Sequence, residues 1–180
     1  MKTCFTDGEM SNLAADYGQL LCACICDYDP GEPNGVGHVW TYTLKNYGSK
    51  RWDDKSLAKE WRDHLQEYDV IVGWNSIKFD IPFLNTRLRY HGLKEVKIDH
   101  HIDLMYTAKF KLRLSSARLD TVARYLRCAD EKTYLDPAHW TRAMGGHRPS
   151  YQYIIHHCRQ DVKVLGQVYD KTKKLIREIK

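Results

Sequence analysis

No stretch of this 180-residue chain approaches the roughly 18 consecutive apolar residues of a membrane-spanning helix, so no association with a membrane is expected. The opening segment MKTCFTDGEM lacks the apolar core of a secretory signal, and the expectation is an intracellular, cytoplasmic protein. Internal repeats, low-complexity tracts and linkers are also missing, which points to one domain over residues 1–180. Disulfides are not expected either: six cysteines without a signal peptide read as free thiols in a reducing compartment. Cys22, Cys24 and Cys26 alternate along an expected strand, about 6.5–7 Å apart on one face, too spread for three thiolates to close on one zinc ion. They read as small core residues.

What is present is a globular composition, 43% hydrophobic and 28% charged, with five Trp and twelve Tyr. The formal charge of +5 leans toward phosphate-bearing partners. Lys109, Lys111, Arg113, Arg118, Arg124 and Arg127 share one segment, and Lys171, Lys173, Lys174, Arg177 and Lys180 crowd the C-terminus. A solvated helix face is the plainer reading of either run.

Strands are expected at KTCFTDGEM, LLCACICDY and HVWTYTL, the last two joined as a hairpin across the turn-rich DPGEPNGVG. A helix follows through SLAKEWRDHLQEY with Ser56 as its cap, then the buried strand DVIVGW. Beyond it come a helix from Asp80 to Gly92, a short strand in KIDHHIDL, a helix at LDTVARYL, the irregular DEKTYLDPAHWTRAMGGHRPS and a long helix from about Tyr151. A strand meander followed by alternating strands and helices makes the expected class α/β, a mixed sheet flanked by helices.

Two features resist a purely structural reading. In the last helix, positions 154, 158, 161, 165, 168, 172, 175 and 179 form an apolar stripe broken by Asp161, which must emerge at the edge of the core or meet a cation. At the first strand, Asp7 and Glu9 point to the same face and repel unless a cation lies between them. Hard divalent ions favour such oxygen ligands. Asp80, just past the buried strand, reads most simply as a helix N-cap when taken alone, and as a third member of that acidic group only together with the other acids.

Asp7-x-Glu9, GWNSIKFDIPFL and HHCRQDVKVL resemble, in that order, the three motifs of the DEDD group of 3′–5′ exonucleases with the ribonuclease H-like fold. The proofreading domains of family-B DNA polymerases and small ribonuclease H-like nucleases are the flavours most similar to it, and the resemblance spans nearly the whole chain. It implies that Asp7, Glu9, Asp80 and Asp161 bind two Mg²⁺ or Mn²⁺ ions, and that Asn75 and Phe79 position the substrate end. The implied activity is release of nucleoside 5′-monophosphates from nucleic acid with a free 3′ end, single-stranded where it enters. Basic residues of the 109–127 segment, with Trp74 or Phe79 as stacking surfaces, would hold the strand. The alternatives are a hydrolytically inactive nucleic-acid-binding or docking module and an endonuclease on the same fold.

The chain departs from the group's pattern in three places. Gly8 stands where a branched apolar residue is usual, which is expected to loosen the strand carrying both acids. Arg118 precedes LDTV in place of Ser or Thr. The group divides into members with Tyr four residues before the last Asp and members with His five before it; here His157 and His156 hold those positions. In a helix continuous through both, His157 lies about 40° from Asp161 around the axis and His156 about 140°, which favours His157 as proton acceptor. A helix beginning near 158 would favour His156.

Overall fold

The computed structural model describes residues 1–176 except 131 and 135. Five strands form one mixed sheet in the order β3-β2-β1-β4-β5: β1 Thr3–Met10, β2 Leu20–Tyr28, β3 Val36–Thr43, β4 Val70–Gly73 and β5 His100–Asp103. β1 to β3 run antiparallel as a meander, and β4 and β5 join β1 in parallel, the two directions that the sequence pattern implies. The helices are α1 Lys55–Leu65, α2 Asp80–Tyr90, α3 Leu104–Thr107, α4 Leu119–Tyr125, α5 Ala138–Met144 and α6 Arg148–Thr172. No helix among the described residues is long and apolar enough to cross a membrane.

The central strand sorts its side chains by the two-residue period. Phe5, Asp7 and Glu9 face α6, as do Cys24 and Cys22, which stand directly across from Asp7 and Glu9 in the antiparallel register. Thr6 and Gly8 face α1. Cys22, Cys24 and Cys26 are fully buried, and all six cysteines are free thiols. A register shift between Glu9 and Met10 ends the regular pairing beside Glu9, where a bulge re-aims the strand.

Four local expectations change. Ser56 does not cap α1; the helix begins at Lys55 after Asp54, whose carboxylate is engaged elsewhere. Asp54 is fully buried and accepts from Leu20 N (2.9 Å), Arg87 Nε (2.8 Å) and Nη2 (2.9 Å), and lies 2.6 Å from His91 Nε2. Burial pushes its carboxyl up, but the hydrogen bonds from Arg87 and His91 outweigh that and hold it below the usual range. Part of the segment read as irregular is helix α5, lying against α6, because Ala143 and its flank cover apolar surface that sequence periodicity does not reveal over seven residues. The long helix begins at Arg148, earlier than expected, with His147 accepting from Ser150 N. It ends at Thr172, so Leu175 is off the stripe and 41% exposed, while Ile179, Arg177 and Lys180 lie outside the described residues.

Gly8 is not a loose point in β1. A Cβ there would stand 2.7 Å from Cη2 of Trp61, whose fully buried indole fills the space behind the strand. Trp61 Nε1 donates to Thr6 Oγ1 (2.9 Å), and Thr6 Oγ1 donates to Cys24 O (3.0 Å), fixing ring and strand together.

Candidate active site

Three elements deliver the acids to one cleft. β1 contributes Asp7 and Glu9, the start of α2 contributes Asp80, and α6 contributes Asp161; Trp74, Asn75, Phe79, Arg118, Lys132 and His157 also line the cavity of about 660 Å³. Asp80 is the first residue of α2, not its cap, and its Oδ1 accepts from Gly8 N at 3.1 Å, bridging the helix start to β1. The short path of parallel β4 into α2 sets that distance. Asp161 is almost fully buried: Oδ2 pairs with the Lys132 ammonium, while Oδ1 has no hydrogen-bond partner among the described residues. Both readings of the broken stripe thus meet at one residue, which lies at the cleft edge and faces a cation.

Since α6 already runs through residue 156, His157 is buried in the cleft and His156 is exposed. His157 Nε2 stands 3.7 Å from Glu9 Oε1 and 3.6 Å from Asp161 Oδ2, with Nδ1 against the Thr133 hydroxyl. Burial pulls its pKa below the ordinary imidazole value, against the opposing pull of Asp161, so the ring is largely neutral near pH 7.

The acids respond in the opposite sense. Burial, reinforced by Asp161, Asp80 and Glu9, raises the Asp7 carboxyl well above its usual range. Burial and Asp161 push Glu9 up to about 8, and burial pushes Asp80 up to about 7 despite the Gly8 amide. Lys132 is displaced upward, because attraction from Asp161 and Asp7 exceeds the effect of its own burial. One ammonium does not balance four carboxylates, and the cleft retains protons that such groups in water lose near pH 4.

Residues 4–173 of the chain match the family model of the RNase H superfamily. The chain belongs to the RNase H superfamily. This superfamily member is 30% identical over 114 residues, 51% of its length, to a DNA polymerase of Methanocaldococcus jannaschii, of which the match spans 7%. In structure it is similar to the family B DNA polymerase of the hyperthermophilic archaeon Pyrobaculum calidifontis, with a TM-score of 0.70 over 97% of this chain and 24% of that one. At 17% identity that likeness carries the fold alone. The chain therefore spans a small part of both of these polymerases.

Within this RNase H superfamily chain the donor chemistry fits a hard divalent cation: oxygen ligands, a buried Asp161 Oδ1 without a hydrogen-bond partner among the described residues, and acids whose ionisation is suppressed by burial and by neighbouring carboxylates. Among the described residues no three His, Cys, Asp or Glu side chains are drawn together tightly enough to hold an ion as they stand. Lys132 holds Asp161 instead.

Two neighbours of the acids escape sequence reasoning, Lys132 and Thr133, both in the segment read as irregular. No periodicity or capping pattern marks them; only the return of that segment over the cleft does. Asn75 has a backbone reason for its identity, a φ of 59°, which Asn tolerates better than most residues. Its N–H is held by Asp103 Oδ1 at 2.9 Å. Phe79 lines the cleft and packs against Phe83, ring centroids 6.0 Å apart. Arg118 lines the cleft with its side chain exposed. His101, without an assigned role from sequence, bonds Ser76 Oγ through Nε2 at 2.8 Å and braces the turn before Asp80.

Proposed function

We propose that this RNase H-fold chain is a metal-dependent 3′–5′ exonuclease that removes nucleoside 5′-monophosphates from single-stranded nucleic acid. The observation that carries the reading is the meeting of Asp7, Glu9, Asp80 and Asp161, from three separate elements, around a cleft that also contains a neutral, buried imidazole. The four carboxylates would hold Mg²⁺ or Mn²⁺ ions, which when bound activate water and neutralise charge on the departing 3′ oxygen. His157 accepts the proton of the attacking water at Nε2. It can do so because burial keeps it unprotonated near neutrality and because the tautomer in which Nδ1–H donates to Thr133 Oγ1 would leave Nε2 free. Asn75 and Phe79 fix the terminal nucleotide, Phe79 by its ring face, and Arg118 at the cleft mouth offers a guanidinium to a phosphate in place of a hydroxyl.

Gly8 would be the best argument for an inactive docking module, but Trp61 fills the space that its missing side chain leaves. Digestion of 3′-labelled and 5′-labelled single strands with Mn²⁺ tests the reading. Progressive shortening from the 3′ end supports it, internal cuts replace it with an endonuclease, and intact strands return it to a docking module.

A further inference from the structure

Just outside the cleft lie two neighbouring aromatic rings, Tyr106 half-buried and Phe110 open to solvent. Tyr106 and Phe110 lie one helical turn apart, on α3 and on its π-helical continuation Ala108–Leu112, with centroids 6.3 Å apart and planes only 8° from parallel. Phe110 is 72% exposed. Each ring has its own ammonium: Lys78 Nζ is 5.7 Å from the Tyr106 centroid and Lys109 Nζ 5.9 Å from that of Phe110. A lone exposed Phe needs no explanation. Two nearly parallel rings, each flanked by a lysine, make a repeating cation and π-face pattern suited to a polyanion with flat bases.

The location ties this ladder to the cleft. Asp103, buried at the end of β5, accepts from Asn75 N (2.9 Å), Ile77 N (3.3 Å) and Met105 N (3.1 Å), clamping the turn that carries Lys78 to the helix that carries Tyr106. Asn75 and Met105 line the cleft, and Lys78 and Tyr106 follow them closely in the chain. A strand leaving the acids past Asn75 and Met105 would come to Tyr106 before Phe110 if it follows α3 and its continuation. The cleft repels phosphates until its charge is balanced, so a cationic stacking surface outside it supplies binding that the acids cannot.

We propose that Lys78, Tyr106, Lys109 and Phe110 form a stacking subsite for the bases that trail the 3′-terminal nucleotide of a single strand, so that the chain binds oligonucleotides in preference to dinucleotides. The inference rests on the exonuclease reading for its direction, but binding and hydrolysis test the two separately. The binding arm uses metal-free protein with Asp80→Ala and oligonucleotides about ten nucleotides long, DNA and RNA, carrying 2-aminopurine near the 3′ end. Fluorescence should be quenched on binding, and Phe110→Ala or Lys109→Ala should weaken affinity by about fivefold to a hundredfold, the range for losing one stacked base, while Phe110→Trp restores it. In the hydrolysis arm, with Asp80 intact, Phe110→Ala should raise KM for the long strand and leave dinucleotide turnover unchanged.

Undiminished affinity in Phe110→Ala and Lys109→Ala, or no quenching with either nucleic acid, overturns the subsite and leaves these rings for a protein partner. Quenching that depends on Phe110 in a protein that hydrolyses nothing keeps the subsite and discards the exonuclease.

Discussion

Adding one methyl group at Gly8 sets two opposed effects against each other. On strand propensity alone Gly8→Ala should stabilise, by about 0.5–1 kcal/mol, since the unfolded chain loses freedom. The structure predicts the opposite sign. The new Cβ would stand 2.7 Å from Trp61 Cη2 and 3.0 Å from Met10 Cε, and although Met10 bends away easily, Trp61 is fully buried and pinned to Thr6 by its indole N–H. Overpacking of this kind costs about 1–3 kcal/mol, so the net expectation is a loss of about 0.5–2 kcal/mol. At about 2–4 °C per kcal/mol for a chain of this size, thermal unfolding should show a decrease of about 1–8 °C. Trp61→Phe removes the offending ring atoms, so Gly8→Ala in that background should be neutral or stabilising, and the cycle should report coupling of about 1 kcal/mol or more. If Gly8→Ala alone raises Tm, or if the two changes are additive, Trp61 does not compensate for Gly8 and the looseness expected from the sequence returns as an explanation.

With metal absent, stability should fall as pH rises from about 4 to about 8, because Glu9 held up to about 8 and Asp80 held up to about 7 bind protons in the folded state that the unfolded chain has released. Differential scanning calorimetry at several pH values should show that slope, Mg²⁺ or Mn²⁺ should flatten it, and a Tm independent of pH in metal-free protein would contradict the charge balance drawn for the cleft. His157→Ala should lower single-turnover rates by about 10²- to 10⁴-fold with metal-induced stabilisation nearly unchanged, and His157→Tyr should recover part of the rate. His156→Ala should do little; the reverse pattern would mean that the exposed ring is the base. Arg87→Met should cost about 3–5 kcal/mol in urea unfolding by stranding the buried Asp54 carboxylate, and Asp54→Asn in the same background should restore part of it. Equal stability with and without Arg87 would show that His91 and the Leu20 amide suffice.

The sequence alone marked the strands and the mixed sheet, because a strand's two-residue period and a buried run such as VIVG announce themselves locally, while the parallel pairing of β1 with the distant β4 came only from the tertiary structure. It also marked Asp161 and the Asp7 and Glu9 pair, since a carboxylate on an apolar stripe and two acids on one strand face are anomalies visible without coordinates. Tertiary structure alone decided what those acids face. Lys132 and Thr133 reach the cleft because an irregular segment folds back over it, and no local pattern encodes a return path. The same holds for Gly8, whose meaning depends on Trp61 from an element about fifty residues away in the chain, across the sheet from the acids. Which histidine enters the cleft turned on where α6 starts, and Ser150 with His147 sets that start earlier than hydrophobic spacing indicates. Periodicity is a local property of the chain; the contents of a cleft are set by contacts between residues far apart in it.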